Sequence, residues 1–246
     1  MDDMHMILKK IIPEHLLYTL RKFMGTRKFH DIEKMNLSQK FEAIYKEKIW
    51  SPQGEHTDFY SGTGSHDITI VQPYVRAVID FLGNFSDKQD IVDLGCGDFN
   101  VGHQISTHAN KYIACDIVVD LIIRNKSIYC DSNVNFKVVN IVDDDLPDGD
   151  IVFIRQVLQH LSNADILKVI PKLYKYKFLI ITEHLPNSHN FAPNKDFVSG
   201  PSIRLERNSG IVLTEPPFNL TFKKSKEICS VNEDNGSIKT MIYELY

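Results

Sequence analysis

From residue 90 onward, short apolar runs alternate with stretches of helical patterning, and this alternation restricts the fold more than any other feature of the chain. "DIVDL" (90–94), "KYIACDIV" (111–118), "VNFKVVNIV" (134–142), "GDIVFI" (149–154) and "KFLIITEHL" (177–185) have strand length and are rich in valine, isoleucine and leucine. Near-continuous apolar runs suit strands that are covered on both faces. Between them lie "NVGHQISTHA", "VDLIIRNKSIY" and "NADILKVIPKLYKY", with apolar residues at helical intervals. Ser162 and Asp165 read as a capping box opening the last of these, and Pro171 is expected to bend it. Such alternation implies parallel strands joined by helical crossovers. The C-terminal end breaks the rhythm. "KSKEICSV" and "SIKTMIYELY" flank "NEDNG", a hairpin signal, so the last two strands should run antiparallel.

The expected fold is therefore α/β: a Rossmann-like, doubly wound seven-stranded sheet, mostly parallel with an antiparallel C-terminal hairpin, plus N-terminal helices. With 43% hydrophobic residues in 246, the chain can bury one sizeable core. "MHMILKKIIPEHLLYTLRKF" (4–23) reads as an amphipathic helix that Pro13 kinks or splits. It serves either as a packed helix or as a lid or interaction helix. Residues 25–37 read as a linker, and Ser38 as the N-cap of "QKFEAIYKEKIW". The organisation expected is a helical cap or lid over 1–60 and one domain over 61–246.

Several function classes are disfavoured at once. The net charge of −4 lacks the basic footprint of a nucleic-acid binder. No apolar run reaches the ~18 residues of a membrane span, and no cleavable-signal pattern opens the chain. A cytoplasmic protein without a transmembrane segment is expected. Cys96, Cys115, Cys130 and Cys229 are scattered without a C-x-x-C pair, which reads as reduced thiols rather than a zinc site or disulfide framework.

The turn after the first strand reads "DLGCGDFNVG" (93–102). A dinucleotide fingerprint would place glycine at 95, 97 and 100, and position 100 is Asn100. Gly95 and Gly97 let backbone approach a ligand, but the tight helix packing that a docked pyrophosphate needs is not provided. Asp98 adds an acid, which suits a cation better than a pyrophosphate. S-adenosylmethionine carries both an ammonium and a sulfonium. Asp116 ends the second strand, where a carboxylate accepts from two ribose hydroxyls; NAD sites use the same acid.

"VDLGCGDFNVG", Asp116 and the terminal hairpin together resemble a class I S-adenosylmethionine-dependent methyltransferase over roughly residues 60–246. The resemblance implies S-adenosylmethionine as cofactor and S-adenosylhomocysteine as product. It implies that Asp93 and the Gly95–Cys96–Gly97 turn face the methionine portion, Asp116 with Ile117 the ribose, and Asn140 with Ile141 the adenine. Such enzymes often carry an aspartate where this chain has Asn140, whose amide oxygen still accepts a hydrogen bond. "SGTGS" (61–65), with Ser61 and Gly62, is either a cofactor-proximal loop or an ordinary turn with an N-cap before a helix at 68–82.

"IRQVLQHLSN" (154–163) follows the fourth strand, where this fold places residues near the transferred methyl. The Asn/Asp-Pro-Pro-aromatic run of amino-group methyltransferases does not occur there. "EPPF" (215–218) falls after the fifth strand and reads as a loop brace. Arg155, Gln156 and His160 offer a cation, an amide and a titratable base. His160 reads as a general base or acceptor contact, or as a helix-start residue bonded to backbone. Glu183 and His184 at the end of the fifth strand are the next candidate bases.

The long connection over about 184–218 reads as an acceptor-binding insertion, with Lys195 and Arg204 as its cations. Glu183, His184, His189 and Asp196 have no diagnostic metal spacing, and no metal is expected. "RQVLQHLSN", "ITEHLP", "NKD…G…R" and "PPF" taken together are similar to a bacterial methyltransferase group associated with surface-polysaccharide biosynthesis. That likeness implies O-methylation of a sugar or glycan decoration, with a small-molecule or glycan acceptor as partner. Two alternatives stand beside it: an anionic oxygen acceptor, phosphate-like or carboxylate, held by the cations, and a non-catalytic binding module of the same fold.

Overall fold

The computed structural model describes residues 34–52, 58–130, 132–188, 190–233 and 236–246. The helical pattern at 4–23 with Pro13, most of the 25–37 linker, His189 and the tip of the "NEDNG" turn lie outside them. Strands β1 (Asp90–Leu94), β2 (Lys111–Asp116), β3 (Val134–Val138), β4 (Ile151–Arg155) and β5 (Phe178–Pro186) run parallel. The hairpin of β6 (Lys224–Glu233) and β7 (Gly236–Glu244) completes the sheet, with β7 lying antiparallel against β5. The strand order is β3-β2-β1-β4-β5-β7-β6. The chain winds outward from β1 to β3 and then returns to β4 on the other side of β1. This reversal leaves a crevice at the carboxyl ends of β1 and β4, where open α/β sheets bind ligands.

Strand alternation builds a core on each face. Val92, Val152, Ile154 and Leu179 pack against Ile166, Val169, Ile170 and Leu173 of the helix Asn163–Leu173. Ile91, Tyr112, Phe153 and Ile180 pack against Val71, Tyr74, Val75 and Val78 of the helix Ile68–Leu82. In chain order the helices are α1 (Leu37–Lys46), α2 (Ile68–Leu82), α3 (Gly102–Ser106), α4 (Val119–Ile128) and α5 (Asn163–Leu173). Pro171 sits in the last turn of α5, which ends at Leu173 and not at Tyr176.

Three local expectations are corrected. The N-cap of α1 is Asn36, not Ser38: Asn36 Oδ1 accepts from the Gln39 amide and Gln39 Oε1 accepts from the Asn36 amide. Ser38 has Phe41 three residues on, which offers no reciprocal acceptor, so its hydroxyl donates to Glu42 instead. Strand β2 stops at Asp116 because its carboxylate turns back to the Val118 amide. Strand β3 stops at Val138 because Asn140 Oδ1 accepts from the Val142 amide and closes a turn. Among the described residues, no helix is long and apolar enough to cross a membrane.

Candidate active site

The glycine turn is pinned at the switch point. The amides of Gly95 and Cys96 both donate to Cys115 O at 2.8 Å. Gly95 and Gly97 have φ of +80° and +56°. A β-carbon at Gly95 would stand 2.3 Å from Val157 Cγ2, and one at Gly97 2.5 Å from Ser61 Oγ. Glycine is required here by backbone conformation and by space.

Asp116 stands beside the turn, its two oxygens accepting from the amides of Gly97 and Val118 at 3.1 Å each. Burial raises its carboxyl to about 6, against the pull of the Val118, Gly97 and Ile117 amides. Asp93 lies beneath the turn, where Tyr112 donates to it at 2.9 Å. Burial raises Asp93 to about 7, with Tyr112 and Arg155 opposing.

A cavity of about 460 Å³ opens above these groups. Gly95, Cys96, Gly97, Asp116, Ile117, Asn140 and Ile141 line one end; Arg155, Gln156, His160 and His184 line the other. Ser61 and Gly62 line it too, Ser61 beside Gly97. The roof is α1 and the segment after it, through Phe41, Tyr45 and Trp50. Two hydrogen bonds tie this roof to the loop at 199–202: Lys40 Nζ to Ser199 O and Trp50 Nε1 to Pro201 O, each 3.2 Å.

The residues of "SGTGS" do more than start a helix. Ser61 bonds both Asp98 and Tyr45, while Arg155 donates to Gly64 O at 2.5 Å. The helix N-cap is Asp67. Gln156 has φ +55°, an uncommon and costly conformation for a residue with a side chain. Its side-chain oxygen lies against Gly64, where a β-carbon would stand 2.3 Å away.

His160 ends the short 3₁₀ turn Leu158–His160 after β4. Its Nδ1 lies 3.2 Å from Ser202 O, a group that only accepts, so Nδ1 carries the proton and Nε2 the lone pair. The Gln159 amide nitrogen approaches Nε2 at 3.4 Å, and the ring lies 4.9 Å from the Trp50 indole. Burial lowers the imidazole to about 4, and the charge of Arg204 pushes the same way. His184 is held by Glu233, with Nδ1 3.5 Å from the carboxylate and Nε2 3.3 Å from the carbonyl.

Five expected or suggested contacts are not at the cavity wall. Asp93 is under the turn. Asp98, read as a neighbour for a cation, faces Ser61 and His66 instead. Glu183 points to the opposite face of β5 from His184; it is 4% exposed and neither oxygen has a hydrogen-bond partner. Burial raises it to about 8, with Arg204 drawing it down. Arg204 is 1% exposed, and donates to the carbonyls of Leu158, Gln159, Leu161 and Lys195 and to Asn163 Oδ1. Lys195 Nζ donates to Arg207 O. The Asn140 amide, expected at an adenine, is engaged with Val142 and Asp143 in its own turn, although the residue lines the cavity.

The connection after β5 is stapled rather than loose. Arg204 gathers one end, and Asn194 Nδ2 donates to the carbonyls of Val212, Glu215 and Pro216. Phe218 of "EPPF" is buried in the core beneath. Among the described residues, no three His, Cys, Asp or Glu side chains gather as a metal set. Sequence reasoning missed Tyr45, Trp50, Glu206 and Glu233 as lining residues. Only the single tryptophan of the chain carried a signal.

No protein-family model matches this sequence, and no curated protein does. Solved structures are similar in fold. The N-methyltransferase NodS from Bradyrhizobium japonicum WM9, in complex with S-adenosylhomocysteine, has a TM-score of 0.57 at 11% identity, covering 82% of this chain and 98% of that one. The N-terminal domain of EvdMO1, in the presence of S-adenosylhomocysteine and D-fucose, gives 0.52 at 13% identity over 86% and 98%. The DhpI–S-adenosylhomocysteine complex gives 0.51 at 13% identity over 84% and 94%. The seven-stranded order, the glycine turn at its switch point and these neighbours together identify the class I fold of S-adenosylmethionine-dependent methyltransferases.

Proposed function

We propose that the chain transfers a methyl group from S-adenosylmethionine to a hydroxyl oxygen of a sugar or glycan acceptor. One observation carries the reading: a single cavity joins the Gly95–Gly97 turn and Asp116 to a polar end at Gln156, His160 and His184. The residues fit the methyl donor. The two glycines keep β-carbons out of the turn, and the Asp116 carboxylate keeps lone pairs for ribose hydroxyls beside its bonds to the backbone amides. The cavity volume falls in the range of about 300–1,000 Å³ for small-molecule sites.

S-adenosylmethionine, when bound, supplies a methyl carbon on a sulfonium that is already a good leaving group. The chain's part is orientation, exclusion of water and removal of the hydroxyl proton. Tyr45, Phe41 and Trp50 cover the cavity. His160, with its tautomer set by Ser202 O, presents Nε2 as the proton acceptor. The EvdMO1 domain, studied with D-fucose, supports a sugar acceptor. A cytoplasmic setting in surface-polysaccharide biosynthesis belongs to the same reading and rests on the sequence resemblance.

Calorimetry tests the first half: S-adenosylmethionine and S-adenosylhomocysteine bind and NAD does not. Tighter binding of NAD, or no binding of either sulfur ligand, overturns the reading. A screen of sugars with labelled methyl donor tests the second half. S-adenosylhomocysteine released only when acceptor is present separates an enzyme from a binding module.

A further inference from the structure

Three adjacent strands end in a row at the crevice. Leu94 of β1 pairs with Cys115 of β2 and with Ile154 of β4, so Asp116, Gly95 and Arg155 are the next residues on the three strands. Being in register they share a face of the sheet, and with strands ~4.8 Å apart the row is about 10 Å long. A methyl donor with its ribose on Asp116 and its sulfur over Gly95 therefore sends its amino-acid end toward Arg155.

Arg155 is a cation held by neutral groups. Nη2 donates to Gly64 O at 2.5 Å and Nη1 to Ser65 Oγ at 3.4 Å, while the guanidinium lies 4.9 Å from the centre of the Tyr74 ring. Its Nε is buried without a partner. Burial pulls the guanidinium below its ordinary value, against Tyr74, Asp93, Cys229 and Glu233. Of these, Asp93 already takes the Tyr112 hydroxyl, and burial raises it to about 7. The residue is half-buried and lines the cavity with Gly64, Ser65 and Gly95. Each terminal nitrogen keeps a second N–H, and such a fork matches a carboxylate.

Resting on the methyltransferase reading, we propose that Arg155 binds the methionine carboxylate of the methyl donor, rather than serving the acceptor, and makes the cofactor site selective for it. The contact to Ser65 Oγ is longer than the usual range of about 2.7–3.2 Å, so its N–H turns to a carboxylate at little loss. A half-buried cation whose hydrogen bonds end on neutral oxygens gains most from a ligand that brings the opposite charge.

Calorimetry on the full chain compares S-adenosylhomocysteine with its decarboxylated analogue and with methylthioadenosine, which lacks the amino-acid end altogether. S-adenosylhomocysteine should bind at least about tenfold more tightly than the decarboxylated analogue. Arg155→Met should erase that gap and leave the decarboxylated analogue and methylthioadenosine bound as in the unmodified chain. Arg155→Lys should restore part of it, since an ammonium keeps the charge without the fork. A merely structural role would weaken all three ligands together. Equal binding of S-adenosylhomocysteine and its decarboxylated analogue by the unmodified chain, or a gap that survives Arg155→Met, overturns the proposal. Should Arg155→Met not fold, Arg155→Lys decides: a loss shared equally by the three ligands, or no loss at all, overturns it. Failure of all three to bind the unmodified chain instead overturns the methyltransferase reading beneath it.

Discussion

Ser61 and Asp98 hold each other twice: the Ser61 amide donates to Asp98 Oδ2 at 3.1 Å, and the Asp98 amide donates to the Ser61 hydroxyl at 2.8 Å. The pair bolts the 61–65 loop to the glycine turn, and Tyr45 extends it to the roof through a 3.1 Å contact with Ser61 Oγ. Ser61→Ala deprives the Asp98 amide of its acceptor, at a cost of about 1–3 kcal/mol in urea unfolding. S-adenosylhomocysteine affinity should fall with it. A stability loss of that size with unchanged affinity would show that the loop does not support the cofactor end.

Asp116 should make ligand binding depend on pH. Its carboxyl is raised to about 6 by burial, and in the proposed reading the ionised form is the one that would accept two ribose hydroxyls. As pH falls below about 6, a bound proton must first leave, so affinity for S-adenosylhomocysteine should weaken by about tenfold per pH unit. Calorimetry across pH 4.5–8 checks this. Asp116→Asn should bind weakly at every pH and show a flatter profile.

His160 should be neutral throughout the working range. An ordinary histidine titrates near 6.5; burial and Arg204 lower this one to about 4. Under saturating methyl donor, where Asp116 no longer governs binding, the acid limb of kcat should therefore fall near 4. His160→Ala should reduce kcat by about 10²–10⁴-fold and leave S-adenosylhomocysteine affinity nearly unchanged. Near-normal turnover in that variant would remove His160 from the proton transfer.

Glu183 and Arg204 should report on stability first. Glu183 is raised from 4.5 to about 8, so the folded state keeps a proton that the unfolded chain releases near 4.5. Its contribution is fully present below pH 4.5 and is lost as pH rises toward 8, by about 1.4 kcal/mol per unit. Denaturant unfolding between pH 7 and 8, above the titrations of Asp116 and Asp93, should show this slope, and Glu183→Gln should flatten it there. Arg204→Met strands the carbonyls of Leu158, Gln159, Leu161 and Lys195, and should cost about 3–5 kcal/mol. A variant that stayed fully stable and lost only acceptor affinity would return Arg204 to the role read from the sequence.

What the sequence determined by itself was whatever depends on neighbours along the chain. The apolar strand runs separated by helical segments, the left-handed glycines at 95 and 97, the acid ending β2 and the terminal hairpin are local patterns, and they carry the sheet and its ligand crevice. Even some errors had local causes within reach: residues alternate across a strand, so Glu183 and His184 cannot both face one cavity from β5. The destinations of long side chains were decided by the tertiary structure alone. Arg204 reads as a surface cation until the carbonyls of Leu158, Gln159 and Leu161, more than forty residues away in sequence, converge on its guanidinium. Trp50 and His160 stand far apart in sequence and meet only in the folded chain, where their rings lie 4.9 Å apart. Such contacts depend on which distant groups share a buried space, and a buried donor or acceptor must find its partner there, wherever in the chain that partner stands.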